Sequence, residues 1–518
     1  MFTLRHAFLL LVLLPAAAAD ARAQAAGEAG LRRLQQAAQA IGEGQLAKAE
    51  TLLNAVLARA PRDADALNLL GVVRAQQKKT AEAERLFRRA LAAAPAHAGA
   101  QVNLGELLLT TGREPEALAA LLAAHRLVPE RPDLNVKLAA LYGRRGEHAL
   151  AVEHLRRVPA EAAGPEYFPL LLRSLLALER REEALSLARQ FAAAPAPPRA
   201  RAEFALMLAR GRLHEEALAL LEAARAEAPG SFEILHALGL VSASAGRYAQ
   251  AEAHLEAALR ARPEDPAGLR ALAGVARAAG NLEKALALLV RARRAAPDWP
   301  ALLYDFGVTA LQMGLLLDAL PAFEQLHRAH PREPAYIYGL AAARYRKGEV
   351  AEAARLLKDY VALRPNDAAG FYLLGAALYA LEQFAEARAA LEQSLRLKPD
   401  PDAEYLLGET LGQAGERDAA VEHFRRVVAA RPEHAGAHAA LGAAYREAGD
   451  YAAARAALER AVALDPEDLR ANYQLGLVYA KLGERERARM QFDRADELRG
   501  RERRRETVIL KLVDPPQP

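Results

Sequence analysis

The sequence lacks cysteine altogether and contains few aromatic residues. Its 518 residues include no cysteine and one tryptophan, and the aromatic fraction is 6%. The absence of cysteine excludes disulfide scaffolds, cysteine-ligated metal sites and cysteine nucleophiles. Residues that favour β-sheet are too sparse for a large β-core. Much of the chain is instead alanine, leucine, arginine and glutamate, which lose little side-chain freedom in an α-helix.

The sequence also lacks a strong excess of charge of one sign. Lysine plus arginine number 69 and aspartate plus glutamate number 65, which leaves a net charge of +4. Nucleic-acid-binding proteins concentrate basic residues on one face. No dense basic block occurs before the last twenty residues, so we expect no nucleic-acid partner.

The longest uncharged apolar run lies at the N-terminus and is too short to span a bilayer. Residues 1–23 contain a basic start, an apolar run over 7–14 and small residues up to Ala23. This order is typical of a secretory signal peptide cleaved before Gln24, whereas a spanning helix needs about 20 apolar residues. We therefore predict an exported protein, periplasmic or secreted, with residues 24–29 as a short linker. An uncleaved membrane anchor is the alternative.

A repeat of about 34 residues organises the rest of the chain. The segments FAEARAALEQSLRLKP (384–399) and YAAARAALERAVALDP (451–466) share an alanine, a bulky apolar residue four positions later and a terminal proline. Fourteen alanines stand in this register, each 33 or 34 residues from the next: Ala49, Ala83, Ala117, Ala151, Ala184, Ala217, Ala251, Ala285, Ala319, Ala353, Ala387, Ala420, Ala454 and Ala488. The period predicts a repeat protein in which each unit stacks on its neighbours.

Each unit carries a second signature before that alanine. A leucine and a small residue, as in Leu104-Gly105, are usually followed seven residues later by a turn glycine such as Gly112. These motifs resemble those of the tetratricopeptide repeat family, from about residue 30 to 499. The resemblance implies an all-α, right-handed superhelical α-solenoid of about fourteen helix–turn–helix repeats, in which the first helix of each unit lines the concave face.

The same spacing has a physical interpretation of its own. Small residues at the Gly105 and Ala117 positions let two helices approach closely, while Leu104 and Leu121 fill the seam between them. Proline at the end of the second helix, as at Pro399, has no N–H to donate and stops the helix. One such hairpin cannot bury its apolar face alone and must stack on the next.

The pattern weakens near residues 159–200. Leu172 occupies a position that is small in the other units, and prolines cluster within 192–203. Two interpretations stay open: a hinge that divides the array into 30–163 and 199–499, and a local irregularity that repacking absorbs.

Residues 500–518 form a basic C-terminal tail. Arg501, Arg503, Arg504 and Arg505 are the only dense basic run in the chain. A solvated tail that favours the negative end of the last helix dipole is one interpretation, and contact with an anionic surface is the other. We expect membrane association only through an uncleaved signal or this tail.

No catalytic or cofactor-binding motif interrupts the repeats. The sequence contains no phosphate-binding loop, dinucleotide fingerprint or GxSxG elbow. The closest histidine pairs are His327 with His330 and His434 with His438, and neither matches a zinc-site pattern. We therefore expect a non-enzymatic protein without a cofactor or a bound metal.

Tyrosine is concentrated in one part of the array. Eight of the fifteen tyrosines fall within 304–405. Through the resemblance, the candidates for a partner-binding groove are Tyr304, Tyr338, Tyr345, Tyr372, Tyr379 and Tyr405, with Arg346 beside them to meet a carboxylate. A tyrosine ring supplies contact area and a hydrogen bond at its tip. Packing between neighbouring units is the alternative role of these rings.

These patterns favour a scaffold that binds a protein or peptide partner in the cell envelope of a bacterium. The second hypothesis is an accessory subunit of an envelope complex for polysaccharide export, secretion or glycan modification. The identity of the partner does not follow from the sequence.

Overall fold

The computed structural model describes residues 21–502, and the regular elements in this range are helical. One of these elements is a short 3-10 helix, Ala160–Ala162. The α-helices of these residues are α1 (Ala21–Gly42), α2 (Leu46–Leu57), α3 (Ala64–Gln76), α4 (Thr80–Ala93), α5 (Ala98–Thr110), α6 (Glu114–Leu127), α7 (Pro132–Arg144), α8 (His148–Arg156), α9 (Tyr167–Ala177), α10 (Arg181–Ala193), α11 (Pro198–Arg210), α12 (His214–Glu227), α13 (Phe232–Ser244), α14 (Tyr248–Ala261), α15 (Pro266–Ala278), α16 (Leu282–Ala295), α17 (Pro300–Gln312), α18 (Leu316–Ala329), α19 (Pro334–Lys347), α20 (Val350–Leu363), α21 (Ala368–Ala380), α22 (Phe384–Leu397), α23 (Pro401–Gln413), α24 (Arg417–Ala430), α25 (Ala435–Glu447), α26 (Tyr451–Leu464), α27 (Leu469–Lys481) and α28 (Arg485–Glu502). Odd-numbered helices are the first helices of successive pairs and even-numbered helices are the second.

The helix boundaries follow from the local sequence. Asp63 and Asp265 each accept a hydrogen bond at 2.8 Å from the backbone N–H three residues on, which caps the start of α3 and of α15. Pro334 begins α19, where a missing N–H costs nothing. Gly348 ends the same helix with φ +89°, a left-handed conformation that glycine adopts without strain.

Close approach at small residues holds each pair together. The fourteen alanines of the repeat register are at most 5% exposed. A Cβ on Gly105 would lie 2.7 Å from Leu121 Cγ, so a larger residue there would push the two helices apart. The structure confirms the all-α solenoid of paired helices that the period predicts.

The chain divides into two units, one up to Gly246 and one from Arg247 onward. In the first unit, the irregular segment contains the shortened helices α8 and α9. A single hydrophobic cluster nevertheless runs through it, and within that cluster the rings of Phe191 and Phe204 stack with centroids 4.1 Å apart. The hinge and the local irregularity both stay predictions, and the division of the chain into two units falls at Gly246.

The two ends of the chain differ from the sequence expectation in their local structure. Helix α1 begins at Ala21 and includes residues 24–29, so the segment predicted as a linker is helical. Helix α28 continues to Glu502, into the predicted tail. The rest of the predicted signal peptide and tail lies outside the described residues. Between residues 21 and 502, no helix combines the length and apolarity needed to cross a membrane.

Substitution of glycine by alanine should have opposite effects on stability at a helix seam and on an exposed helix surface. A Cβ on Gly375 would lie 2.6 Å from Leu391 Cγ, whereas a Cβ on Gly274 would meet no atom within 4 Å. We expect Gly375→Ala to destabilise the fold by about 1–3 kcal/mol through overpacking. Gly274→Ala should stabilise it by about 0.5–1 kcal/mol, because alanine favours the helix. Urea unfolding followed by circular dichroism measures both, and equal shifts would contradict this account of the seam.

A buried histidine in the first unit makes stability depend on pH. His154 is 6% exposed, and its Nδ1 lies 2.8 Å from Asn135 Oδ1. Its ring stacks on Tyr142 with a centroid distance of 5.5 Å. Burial lowers the pKa of the His154 imidazole to about 4. The unfolded chain therefore binds a proton at this residue at a higher pH than the folded chain does.

We expect stability to decrease as the pH falls from about 6.5 to about 4, because only the unfolded state is protonated at this residue in that window. Below the folded-state pKa this contribution levels off. His154→Gln should flatten the pH dependence of the unfolding midpoint in this range, while the control His438→Gln leaves it unchanged. An identical pH profile for His154→Gln and the wild type would show that the imidazole does not contribute.

Candidate functional site

The first helices of the second unit form a surface on which most of the predicted site residues lie. Helix α17 contacts α19, α19 contacts α21, α21 contacts α23, and α25 contacts α27. We call the surface that these six helices present the first-helix face. Tyr405 of α23 reaches the start of α25, where its ring centroid lies 4.9 Å from that of His434.

Two of the predicted groove tyrosines are core residues. Tyr304 is 5% exposed and packs against Phe323 and Tyr336, with ring centroids 6.0 and 5.7 Å away. Tyr338 is 2% exposed and packs against Tyr360 at 5.2 Å. These rings are not available to a partner. For Tyr304 and Tyr338 the groove prediction is wrong, because the neighbouring helix pair covers the ring.

Arg346 also has a different role from the one expected. It is half-buried, and its Nη1 donates a hydrogen bond at 2.6 Å to the carbonyl oxygen of Leu311. That carbonyl lies in the last turn of α17 and also accepts a hydrogen bond at 3.1 Å from the backbone N–H of Gly314. Arg346 thus links the ends of two neighbouring first helices instead of presenting a free guanidinium to a partner.

The other four tyrosines are half-buried and keep part of each ring on the first-helix face: Tyr345, Tyr372, Tyr379 and Tyr405. Burial raises the pKa of the Tyr372 hydroxyl to about 12, and the carboxylates of Asp402 and Asp400 add to this rise. The hydroxyls of all four tyrosines are protonated at neutral pH and can donate hydrogen bonds. The structure therefore keeps these four as candidates for partner contact.

A cavity lies among α23, α24, α25 and α27. Its volume is about 920 Å³, and we call it the trough. Gly436, Ala439 and Ala443 form its floor along one side of α25. Tyr405 and Glu409 of α23 and Arg470 and Gln474 of α27 line the same cavity. Side chains from helices on both sides of α25 thus surround a floor of small residues.

Among the first helices from α17 to α27, α25 alone lacks tyrosine at one repeat position. Ala439 stands where other units carry tyrosine, at Tyr304, Tyr338, Tyr372, Tyr405 and Tyr473. The next position along is Ala440, where the two preceding units carry leucine. Two small side chains at adjacent positions leave space that a ring and a branched chain fill elsewhere.

The charged groups of the trough act on the same tyrosines. Burial raises the pKa of the Glu409 carboxyl, while Arg470 and Tyr405 oppose the rise. Burial raises the pKa of both Tyr379 and Tyr405, and Glu409 adds to the rise while Arg470 opposes it. Of these two tyrosines, Tyr405 lines the trough together with Glu409 and Arg470. Arg470 is exposed.

Sequence reasoning missed Glu409, Ala439 and Arg470. It followed the tyrosines that are present and did not use α25, the one first helix between α17 and α27 in which alanine replaces tyrosine. The missing tyrosine was the available signal. It does not indicate which charged residues line the trough, because Glu409 and Arg470 belong to the units before and after it.

The histidine pairs have structural roles. His434 Nδ1 accepts a hydrogen bond at 3.0 Å from the backbone N–H of Ala437 and caps the start of α25. His438 Nε2 lies 3.0 Å from the carbonyl oxygen of Pro432. In residues 21–502, no three histidine or acidic side chains converge as metal ligands would.

Several family models match the chain. Those described as "Tetratricopeptide repeat" match residues 34–98, 74–126, 242–304, 372–435, 405–454 and 469–501, and one described as "TPR repeat" matches 444–483. A model described as "Anaphase-promoting complex, cyclosome, subunit 3" matches 312–394. The tetratricopeptide models together cover more than half of the chain. No curated protein sequence matches it.

Solved structures with similar repeats include one titled "MamA 41-end from Desulfovibrio magneticus RS-1". It is 29% identical and covers 34% of this chain and 98% of its own, with a TM-score of 0.30. The APC/C hetero-tetramer Cut9-Hcn1 is 14% identical and covers 85% and 95%, with a TM-score of 0.43. YrrB, titled a TPR protein with an unusual peptide-binding site, is 22% identical and covers 35% and 93%, with a TM-score of 0.29.

The burial of Tyr338 predicts that its loss affects stability before it affects binding. We expect Tyr338→Ala to lower the free energy of unfolding by about 3–5 kcal/mol, as for other buried aromatic residues. Tyr473, at the equivalent position of the last repeat, is 42% exposed. Tyr473→Ala should therefore cost much less, about 1 kcal/mol. Thermal and urea unfolding of the two variants provide the comparison, and a similar cost for both would refute the assignment of Tyr338 to the core.

Proposed function

Since the chain belongs to the tetratricopeptide repeat family, we propose that it is a non-enzymatic scaffold that binds a protein or peptide partner on the first-helix face of its second unit. The observation that carries this proposal is the trough, a cavity of about 920 Å³ beside half-buried tyrosines. The rings of Tyr372, Tyr379 and Tyr405 extend that surface along the neighbouring helices.

A binding role also agrees with the organisation of the chain. Between residues 21 and 502 the repeats follow one another without a separate catalytic domain. Aromatic residues are enriched at protein interfaces because they bury a large area with little loss of side-chain freedom. A face that displays tyrosine above a floor of alanine has these properties.

We further propose that the protein works outside the cytoplasm, in the cell envelope of a bacterium. The order of residues 1–23, with a basic start, an apolar run and small residues at the end, supports export. The absence of cysteine is compatible with such a compartment, because the fold is held by apolar packing and needs no disulfide.

Export is tested by expressing the full chain in a Gram-negative bacterium. We expect the protein in the periplasmic or secreted fraction, with an intact mass that corresponds to a chain beginning at Gln24. Leu11→Arg, which places a charge in the apolar run, should retain the uncleaved chain in the cytoplasm. Recovery of the uncleaved wild-type chain from the cytoplasm would refute the proposed compartment.

Partner binding is tested by placing the photo-crosslinking residue p-benzoylphenylalanine in the trough at Ala439. The control carries it at Leu317, which is 87% exposed on the second helix α18. In intact cells we expect one discrete crosslinked product from position 439 that is absent from position 317. Crosslinking at 317 alone would place the partner on the second helices and contradict the proposed face.

A further inference from the structure

Two arginines occupy the tyrosine positions of the repeat in helix α15, which contacts α17. Arg270 stands at the position that Tyr304 occupies in the next unit. Arg277, two helical turns further along, stands at the position of Tyr345 and Tyr379. Because the same repeat position recurs on the same surface in successive units, the two arginines continue the row of tyrosines with positive charge.

The two arginines share one carboxylate. Arg270 Nε donates a hydrogen bond at 2.6 Å to Asp305 Oδ2, and its guanidinium carbon lies 5.3 Å from the centre of the Trp299 ring. Arg277 Nη2 lies 3.8 Å from the other oxygen of Asp305, which is beyond hydrogen-bond distance. Asp305 therefore neutralises Arg270 more fully than Arg277, and the three side chains together keep one positive charge.

Arg277 has hydrogen-bond donors to offer to a ligand. Its side chain is 23% exposed, and its guanidinium donates no hydrogen bond to any residue between 21 and 502. None of its nitrogens is among the side-chain atoms that the fold seals off without a partner. Partial removal of a charged group from water costs free energy unless an acceptor replaces the water. A carboxylate from outside can reach this group and accept charge-assisted hydrogen bonds from it.

Resting on the proposed function, we infer that the protein segment on the first-helix face carries an aspartate or a glutamate whose side-chain carboxylate binds Arg277. That carboxylate supplies the negative charge that Asp305 alone does not provide, and its two oxygens match the planar fork of the guanidinium. Tyr345, at the same repeat position two units further along, keeps part of its ring on the face. The segment therefore combines an acidic residue for α15 with apolar or aromatic residues for the helices that carry tyrosine.

The experiment selects phage-displayed random dodecapeptides on the purified chain. Enriched peptides without tryptophan are synthesised with an amidated C-terminus, so that side chains supply the only carboxylates, and their affinities are measured by fluorescence anisotropy. We expect aspartate or glutamate at one fixed position. Trp299 is the only tryptophan of the chain and lies beside Arg270, so peptide binding should also change its fluorescence.

A double-mutant cycle tests the contact itself. Replacing the acidic residue of the peptide by its amide should weaken binding to the wild-type chain about tenfold or more, the loss of a charge-assisted hydrogen bond. The same replacement should change binding to Arg277→Gln less than twofold, because the partner of the carboxylate is gone. Asp305→Asn, which removes the competing carboxylate, should strengthen binding of the acidic peptide and not of its amide.

The matched control is Arg294→Gln, which removes an exposed arginine from the second helix α16. In this variant the peptide replacement should still cost about tenfold. Arg277 lies in the last turn of α15, where a positive charge also stabilises the helix. A purely structural role would weaken the acidic peptide and its amide by the same factor. Asp305→Asn decides the question if thermal unfolding shows that Arg277→Gln does not fold.

The outcomes separate this inference from the proposed function. Enriched peptides without an acidic residue would overturn the carboxylate contact while leaving peptide binding established. The same holds for an acidic residue that shows no coupling to Arg277, and for binding that leaves the fluorescence of Trp299 unchanged. No enrichment over an unrelated helical protein would overturn both.

Discussion

The close approach of two helices at small residues is the constraint on which the whole array depends. At the alanine of each repeat, such as Ala117, there is no room for a larger side chain, and at Gly105 an added Cβ would lie within 3 Å of Leu121. This contact fixes the rotation of the first helix against the second. Because each pair repeats that geometry, the same sequence position recurs on the same surface in successive units.

Once this rotation is fixed, the residue at one repeat position determines which side chain each repeat exposes on the first-helix face. Tyrosine at this position becomes a core residue in some repeats, as with Tyr338, and stays half-buried in others, as with Tyr405. Where the residue is Ala439, its small side chain lines the trough. The proposed site therefore lies where one repeat departs from the residue pattern of its neighbours. Its charges come from the two adjacent units, which the repeat brings near each other.

The fold was largely predictable from the chain. Alanine every 33 or 34 residues and the prolines and glycines between them imply helices of limited length and fixed pairing, and the structure has them. The site was less predictable. Tyr304, Tyr338 and Tyr405 occupy equivalent positions in sequence, yet the first two are covered and the third is not. Arg346 was expected to be free but bonds to Leu311. Such differences depend on the side chains of the next unit, which no single repeat encodes.

The periodic pattern of residues was thus sufficient for the helices, their pairing and the family, because these depend on contacts between residues near each other in the chain. Which tyrosines are accessible, and that Tyr405, Glu409 and Arg470 line one cavity, were decided only in three dimensions. Those features arise from side chains of different repeats that meet across a seam, and their separation in sequence gives no measure of the space between them.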